Sequence, residues 1–220
     1  MNDPFEDIVS FSSLIEDDSE FIPLLSPEDE EHMNAEEIPE LVGILPLRNT
    51  VLFPGVVIPI TIGRDKSIKL VKDAYSSTKV IGVLAQKDVA VEDPKPSDMN
   101  RIGTVARIIK MLQMPDGSTT VIIQGKRRFE VKEMVEVEPY FKGRIIAFDE
   151  IKPARKTKEF NALVDSLKDI ALNIIRQSPN IPSESEFALK NIESPSFLIN
   201  FISSNMDASV KEKQKMLEVA

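Results

Sequence analysis

The sequence contains no cysteine, and this absence removes several classes of site at once. Disulfide bridges, thiolate zinc sites and cysteine nucleophiles are all excluded, and the composition is compatible with a reducing compartment. Histidine is almost as scarce, since His32 is the only one and lies in an acidic N-terminal segment. A histidine-based catalytic triad or a cluster of histidine metal ligands is therefore excluded from the rest of the chain.

Long apolar runs and the glycine motifs of common enzymes are missing as well. No run is long enough to span a bilayer, and the N-terminus has no secretory signal, so we expect a cytoplasmic protein. The pair Gly125-Lys126 lacks the glycine and the Ser or Thr of a phosphate-binding loop, and G-x-S-x-G does not occur. Composition leaves a Ser–Lys dyad open, but nothing positions one. We therefore expect this chain to have no catalytic residues.

Basic residues are absent from residues 1–40, so the net charge of −9 is an uneven average. This segment holds 14 acidic side chains, which leaves 22 acids against 27 bases, about +5, in residues 41–220. Composition favours a disordered, solubilising tail. The alternative is an intramolecular pseudo-ligand, whose interspersed apolar side chains visit a groove on the basic body. The run Glu28–Glu31 lacks the ligand spacing of a calcium loop, so no metal site is predicted.

The densest apolar stretch is residues 41–62, and its pattern predicts two strands joined by a loop. Leu41–Leu47 and Val56–Ile62 are rich in β-branched residues, and the loop between them ends in Pro54-Gly55. Pro59 cannot donate to a strand ladder, so the second run is expected to be an edge strand or to contain a bulge.

The following residues, up to about 150, predict one helix and several short strands. The helix is expected to begin near Asp65 or Ser67. Strong turn chemistry occurs at Met114–Gly117, and a second turn is predicted at Gly125–Arg128. The strands are predicted over 79–86, 102–114, 118–124, 129–137 and 140–148. Short strands with a single crossover helix favour a small mixed barrel-like sheet.

The hydrophobic period changes from 2 to 3.6 near residue 150, which predicts a helical subdomain over 151–220. Eight apolar side chains between Phe160 and Ile175 follow helical spacing and are expected to form one buried stripe. Further helices are predicted over Glu184–Asn191, after the N-cap Ser194, and after an N-cap at Asp207. No C-cap signal follows the last of them, so we expect the natural chain to continue.

Two features of the body could bind a partner. Methionines such as Met111 and Met114 recur at adaptable binding surfaces, although covering the sheet core explains them equally well. The bases Lys126-Arg127-Arg128 could contact phosphate, but a polar turn is the commoner explanation. The modest body charge and the absence of interleaved aromatic residues argue against a nucleic-acid partner.

Several motifs resemble the N-terminal region of the Lon family of ATP-dependent serine proteases. They are LPLRNTVLFPG at 45–55, GRDKSI at 63–68, AQKD at 85–88, IGTVARIIKMLQMPDG at 102–117 and SPSFLINFISSNMDASVKEKQKMLE at 194–218. The resemblance implies an α+β fold, with a PUA-like mixed β pseudo-barrel over 41–150 and an α-helical subdomain over 151–220. The acidic segment 1–40 departs from the compact family pattern.

The resemblance also implies a role in protein quality control. In the family this region recognises misfolded or unfolded proteins and supports assembly of a hexamer. The ATPase module, which uses ATP and Mg, and the Ser–Lys protease module lie further C-terminal, and none of their motifs occurs here. The resemblance therefore implies a non-catalytic region with no cofactor of its own, unfolded polypeptides and further copies of the chain as partners, and no membrane.

Large residues near turns or strand ends are the hypothesis for the substrate-binding surface. They are Met111, Met114, Phe53, Tyr140 and Phe141. The alternatives to a Lon region are a stand-alone PUA-like adaptor or RNA-binding module, whose RNA affinity would depend strongly on salt, and a free-standing hydrolase, which would turn over substrate without ATP.

Overall fold

A computed structural model of the chain describes residues 26–114, 118–151, 157–178 and 183–219, and contains six strands and six helices in these ranges. The strands are β1 (Leu41–Leu47), β2 (Val57–Ile62), β3 (Val80–Ala85), β4 (Ile102–Gln113), β5 (Thr119–Glu136) and β6 (Lys142–Phe148). The helices are α1 (Pro27–Ala35), α2 (Asp65–Tyr75), α3 (Lys158–Gln177), α4 (Ser183–Asn191), α5 (Pro195–Asn205) and α6 (Val210–Glu218).

The six strands form one sheet that closes on itself. Their order is β2-β5-β4-β3-β1-β6, and β5 also pairs with β6, so that five strands complete a ring to which β2 is added. The parallel pair β1 and β3 is connected through the crossover helix α2, while the other pairings are antiparallel. The predicted α+β class with a mixed barrel-like sheet is confirmed.

Strand β2 is the edge strand that the proline in its sequence predicts. It pairs with β5 alone among the described strands, and Pro59 lies opposite Ile122 in that pairing. Proline is tolerated at this position because no second strand lies beside β2 among the described strands, so no partner there requires the backbone N–H that proline lacks.

Strand β5 runs without interruption through Gly125–Arg128, so the turn predicted at this position is wrong. A Cβ atom at Gly125 would lie 2.2 Å from the carbonyl oxygen of Phe53, because the loop after β1 crosses the strand here. The Gly55 amide donates to the Gly125 carbonyl over 2.9 Å, and the Gly125 amide donates to the Val56 carbonyl over 2.9 Å. Glycine is present at this position because of a close backbone approach rather than a turn. The last three residues of the other predicted turn, Pro115–Gly117, lie outside the described residues.

Replacing Gly125 by alanine is expected to lower the free energy of unfolding by about 1–3 kcal/mol, since the new methyl group would overlap a backbone oxygen. Urea unfolding of the purified chain measures this change. Gly63→Ala is the matched control, because no atom lies within 4 Å of its added Cβ. Equal stability of the two variants would contradict this account of Gly125.

Part of the acidic N-terminal segment is folded, so the prediction of a disordered tail is wrong for residues 26–40. The Ser26 side chain accepts a hydrogen bond from the Asp29 amide, and the Asp29 carboxylate accepts one from the Ser26 amide, which together form a capping box at the start of α1. Met33 is buried in the core shared with the helices, and the Ser194 hydroxyl donates to the Glu30 carboxylate. Residues 1–25 of the predicted tail lie outside the described residues.

The helices after the sheet pack against the loop between β1 and β2. Their shared core includes Phe53 from that loop with Leu172 of α3, Leu189 of α4, Leu198 of α5 and Leu217 of α6. No helix among the described residues is both long enough and apolar enough to cross a membrane.

The predicted N-cap residue is confirmed for α5 but is wrong for α6. Ser194 caps α5 as predicted, since its hydroxyl accepts from the Phe197 amide over 3.2 Å. The N-cap of α6 is Ser209 rather than Asp207, because Ser209 and Glu212 form a capping box.

Candidate functional site

The three consecutive bases of β5 hold the fold together and each has a carboxylate partner. Lys126 Nζ lies 3.2 Å from the Glu36 carboxylate, and Arg127 Nη2 lies 2.9 Å from the Asp149 carboxylate. Arg128 is 5% exposed and forms an ion pair with Glu150. These bases are therefore paired within the protein, which weakens the hypothesis that they contact phosphate.

The guanidinium of Arg128 connects four parts of the chain. Its Nε donates to the Leu217 carbonyl over 2.9 Å, its Nη2 donates to Asn200 Oδ1 over 3.1 Å, and its Nη1 donates to the Glu150 carboxylate. Burial acts to raise the pKa of Glu150, but hydrogen bonding and the charge of Arg128 outweigh it, so the pKa of this carboxyl is lowered. Sheet and helices are thus fixed to each other by a charge-assisted network.

A cavity of about 300 Å³ lies between the start of α2 and the segment before β6. Tyr140 and Phe141, two of the predicted substrate-binding residues, both line it, together with Ile44 and Pro46 of β1. Charged side chains from the start of α2 and from the loop after β3 also line it: Arg64, Asp65, Lys66, Glu92 and Asp93. The arrangement could hold a single apolar side chain inside a charged rim.

Tyr140 brings a phenol to the lining of this cavity. Burial raises the pKa of its phenol, and the charge of Asp73 and a hydrogen bond to it raise the pKa further. Lys142 Nζ lies 5.6 Å from the centroid of the Tyr140 ring, within cation–π range. The phenol is therefore neutral at physiological pH and able to form hydrogen bonds.

The structure does not bring the five predicted substrate-binding residues together. Met111 and Met114 are half-buried at the far end of the β4–β5 hairpin, and Met111 packs on the core between the sheet and α2. Met114 closes the hairpin, because its amide donates to the Ser118 carbonyl over 2.9 Å. A role of these two methionines in binding stays a prediction.

The prediction that Phe53 contributes to a binding surface is wrong. Its side chain is 1% exposed and belongs to the core beneath the helices. Phe141 is also buried, in the core of the barrel, and lines the cavity without reaching an open surface. Both residues were predicted from their size and their position near turns, but a loop that is covered by other elements buries its large side chains.

The most exposed apolar face of the long helix α3 was predicted to be buried. Leu163, Ile170 and Ile174 are 71%, 58% and 56% exposed, although they belong to the predicted core stripe. The half-buried Leu167 lies between them in the sequence. These four residues recur three and four positions apart and so share one face of the helix. We call this face the α3 stripe.

Two apolar faces are present on α3, and among the described residues only one of them packs on the rest of the protein. The other face, which includes Val164, Ala171, Leu172 and Ile175, joins the shared core with the loop after β1. The width of the apolar pattern was the available signal, because ten apolar residues among the sixteen from 160 to 175 exceed what one contact face requires. An exposed apolar face of this kind is a candidate interaction site.

Metal binding has no support in the described parts of the chain, where no three acidic or histidine side chains are grouped to hold an ion.

Phe187 of α4 is a further exposed apolar side chain near α3. It lies beside Glu186, whose carboxylate accepts hydrogen bonds from Arg176 of α3.

A family profile described as the ATP-dependent protease La (LON) substrate-binding domain matches residues 42–220. A Lon protease of Flavobacterium johnsoniae is 59% identical over 202 residues, which cover 92% of this chain and 25% of that protein. A Lon protease of Cytophaga hutchinsonii is 48% identical over 199 residues, which cover 90% of this chain and 24% of that protein. The chain thus spans about a quarter of the length of these curated relatives.

Two solved structures share the fold at low sequence identity. The N-terminal domain of a Mycobacterium avium complex Lon protease has a TM-score of 0.65 at 19% identity, covering 82% of this chain and 90% of that chain. A Lon N-terminal domain protein from Xanthomonas campestris has a TM-score of 0.58 at 17% identity, covering 81% and 89%.

Proposed function

Because the chain belongs to the family of Lon substrate-binding domains, we propose that it captures exposed apolar segments of unfolded or damaged polypeptides, and that the α3 stripe is the surface that does so. The observation that carries the proposal is the exposure of three large aliphatic side chains on one face of one helix. An unfolded chain presents apolar side chains in many sequences, so a shallow aliphatic surface with no directional polar groups suits it.

The stripe is held on a rigid support. The opposite side of α3 is packed into the core, where Leu172 is buried. The α3–α4 pair is fixed by Lys168, whose Nζ donates to the carbonyls of Lys190 and Ile192 over 2.8 and 2.9 Å. A face supported in this way loses little conformational freedom when a partner binds, which favours affinity.

Two further surfaces are included in the proposal as secondary contacts. The cavity beside Tyr140 could take one apolar side chain of a bound segment, and the hairpin that carries Met111 and Met114 could adapt to another. They contribute less than the stripe, because charged side chains line much of the cavity and the methionines are half-buried.

The same proposal extends to the longer protein that the relatives represent. In it, this region would deliver captured segments to an ATP- and Mg-dependent unfolding module and a Ser–Lys endopeptidase module, within a cytoplasmic homohexamer. The support for this is the family membership and the quarter length that the chain shares with its relatives.

Replacing Ile170 and Ile174 together by serine is expected to weaken binding to an unfolded polypeptide at least about tenfold, which corresponds to about 1.4 kcal/mol. Both side chains would otherwise be covered by the bound segment. Fluorescence anisotropy with a labelled, carboxymethylated and permanently unfolded protein measures the affinity. Circular dichroism and urea unfolding establish that the variant is folded.

The matched control is Ile109→Ser/Val135→Ser, which removes two aliphatic side chains of similar exposure from the sheet. This control is expected to bind as the unchanged chain does. Equal affinity of all three proteins would refute the proposed role of the stripe. If Met111→Ser/Met114→Ser alone lost affinity, the site would lie at the hairpin instead, and strongly salt-dependent binding of RNA would favour the RNA-module alternative.

A further inference from the structure

We infer that the cavity beside Tyr140 binds the N-terminal residue of a polypeptide, with the free α-ammonium group at the acidic rim and an apolar first side chain between the walls. The inference rests on the proposed function in one respect, since it takes unfolded polypeptides to be the ligands of this chain. It deepens the secondary role proposed for the cavity, because it names the part of the polypeptide that enters.

The start of α2 presents hydrogen-bond donors that have no acceptor within the helix. The first intrahelical hydrogen bond of α2 runs from the Ile68 amide to the Arg64 carbonyl over 2.9 Å, so the amides of residues 65–67 precede it. Arg64 is the N-cap residue and provides no side-chain cap. Residues 65–67 all line the cavity. A ligand with a carbonyl oxygen at this place would accept from donors that the helix leaves open.

Ser67 gives a second and independent indication of a ligand. Its side chain lines the cavity although the residue is only 5% exposed. Its hydroxyl forms no hydrogen bond with any residue that the structure describes. Buried hydroxyl groups in folded proteins nearly always have a hydrogen-bond partner. A polar group of a molecule bound in the cavity would be that partner.

Three carboxylates line the cavity, and we call them the rim carboxylates. They belong to Asp65, Glu92 and Asp93, which are all exposed. Within the described ranges none of them forms a hydrogen bond or an ion pair. Each is therefore available to a positively charged group of a ligand.

The two basic residues of the lining already have partners of their own. Lys66 Nζ lies 2.5 Å from the Glu138 carboxylate, and Arg64 Nη2 donates to Gln86 Oε1 over 2.8 Å. Burial lowers the pKa of Arg64, although the nearby charges of two rim carboxylates oppose this shift. Three carboxylates and two bases leave the lining with a net charge of about −1, and Glu138 adds a further negative charge beside it. An ammonium group would be attracted to this cavity, whereas a carboxylate would be repelled.

Apolar walls complete the site. Ile44 and Pro46 of β1 and the rings of Tyr140 and Phe141 line the cavity. Ile44 and Phe141 belong to the core of the barrel, which holds these walls in place before a ligand arrives. The volume of about 300 Å³ is at the lower end of the range for small-molecule sites, roughly 300–1,000 Å³. It suits one residue better than a longer segment.

The N-terminal residue of a polypeptide combines the three groups that these features require. Its amino group has a pKa of about 7.7–8.0 and is mostly protonated at neutral pH. Its side chain can be apolar, and its carbonyl oxygen can accept from Ser67 and from the start of α2. An internal residue lacks the positive charge, and a C-terminal residue has a negative charge instead. The cavity would therefore distinguish the start of an unfolded polypeptide from its interior, which the α3 stripe does not.

The first test compares peptides that differ only at their first residue. The reference peptide is Phe-Ser-Gly-Ser-Gly-Ser with a C-terminal amide, and titration of the protein's amide NMR resonances measures its affinity. Acetylation of the amino group is expected to weaken binding at least about tenfold, because the charge facing the rim carboxylates is lost. Glycine in place of the first phenylalanine is expected to weaken it by a similar factor of about ten, because the apolar contact is lost.

Two results of this comparison would overturn the inference. One is equal affinity of the free and the acetylated peptide. The other is tighter binding of an acetylated peptide that ends in phenylalanine with a free carboxylate. The site of binding is read from the same titration: the largest shifts are expected at the amides of residues 65–67, and shifts confined to other parts of the protein would also contradict the assignment.

The second test changes the cavity. Glu92→Gln/Asp93→Asn is expected to reduce the preference for the free over the acetylated peptide to about twofold or less. Ser67→Ala is expected to weaken the free peptide about three- to tenfold, since one hydrogen bond is lost without a change in packing.

The matched control is Glu37→Gln/Glu133→Gln, which neutralises two exposed carboxylates outside the cavity. It is expected to keep the full preference for the free peptide. Urea unfolding establishes that all variants are folded. A folded Glu92→Gln/Asp93→Asn chain that also keeps the full preference would show that the rim carboxylates do not bind the amino group.

The two proposals fail in different ways. If Ile170→Ser/Ile174→Ser loses affinity for the carboxymethylated unfolded protein while free and acetylated peptides bind equally, the stripe binds substrate and the cavity inference is wrong. If the free peptide is preferred but Ile170→Ser/Ile174→Ser keeps its affinity for the unfolded protein, the cavity binds N-terminal residues and the proposed role of the stripe is wrong.

Discussion

Replacing Arg128 by methionine is expected to lower the free energy of unfolding by about 3–5 kcal/mol, the cost of removing one partner from a buried ion pair. The loss exceeds that of a surface salt bridge because Arg128 is buried and its guanidinium also satisfies Asn200 and the Leu217 carbonyl. Methionine fills much of the volume of the arginine stem, so the effect reports the polar network rather than a cavity. Urea unfolding monitored by circular dichroism measures it.

A surface pair of similar geometry provides the control. Lys132 lies 2.5 Å from the Glu130 carboxylate, but both side chains are solvent-accessible. Lys132→Met is expected to change stability by less than about 1 kcal/mol. Removing both charges of the buried pair, in Arg128→Met/Glu150→Gln, is expected to recover part of the loss, because no unpaired carboxylate remains. A loss of stability in Arg128→Met no larger than in Lys132→Met would contradict the proposed contribution of the charge-assisted network around Arg128.

The contribution of the Arg128–Glu150 pair to folding stability also depends on pH, and the pKa of Glu150 sets the sign of this dependence. The pKa of Glu150 is lowered in the folded state, so the stability that it confers is fully present above its ordinary value of about 4.3. That stability is lost as the pH falls through the folded pKa. The stability difference between the unchanged chain and Arg128→Met is therefore expected to be constant near neutrality and to narrow below about pH 4.

Replacing Phe53 by alanine is expected to cost about 3–5 kcal/mol of folding stability, because it leaves a large cavity where loop, sheet and helices meet. The expected loss of polypeptide binding is indirect, through unfolding, and disappears at temperatures where the variant is still folded. Met114→Ala, on the half-buried hairpin, is expected to cost far less stability. Thermal and urea unfolding, combined with anisotropy titrations, separate the two effects. Weakened binding in a fully folded Phe53→Ala chain would show that Phe53 does contribute to the binding surface.

Local sequence chemistry predicts the elements of this fold well. Alternation of apolar residues predicts most of the strands, although β5 was predicted as two strands separated by a turn. Pro59 predicts the edge strand and Ser194-Pro195 predicts the start of α5, and the structure confirms both. These features depend on neighbours within a few residues, so a sequence contains them in full. The capping boxes at Ser26 and Ser209 belong to the same category and were visible signals of α1 and α6.

The features that sequence reasoning missed depend on distant partners. Gly125 and the bases after it have the composition of a turn, yet they continue a strand because Phe53, Glu150 and Leu217 approach it from three other parts of the chain. No local pattern contains these contacts.

The α3 stripe shows the same limit at the candidate site. Spacing identifies which side chains share a helix face, but the number of other elements that reach α3 decides which face is covered. The structure covers the face of Leu172 and leaves that of Ile170 open. Burial of Phe53 and exposure of Leu163 were therefore both mispredicted, for the same reason.

The closed ring of strands lowers the risk of ordered aggregation, which arises for any protein that binds unfolded chains. An extended polypeptide can add itself to an open sheet edge and start an ordered aggregate. Among the described strands, β2 alone has a single neighbour, and its outer edge contains Pro59, which offers no amide hydrogen. Under the proposed function, the sheet therefore presents a bound unfolded polypeptide with a poor template for strand addition, and contact is left to side chains that can release it.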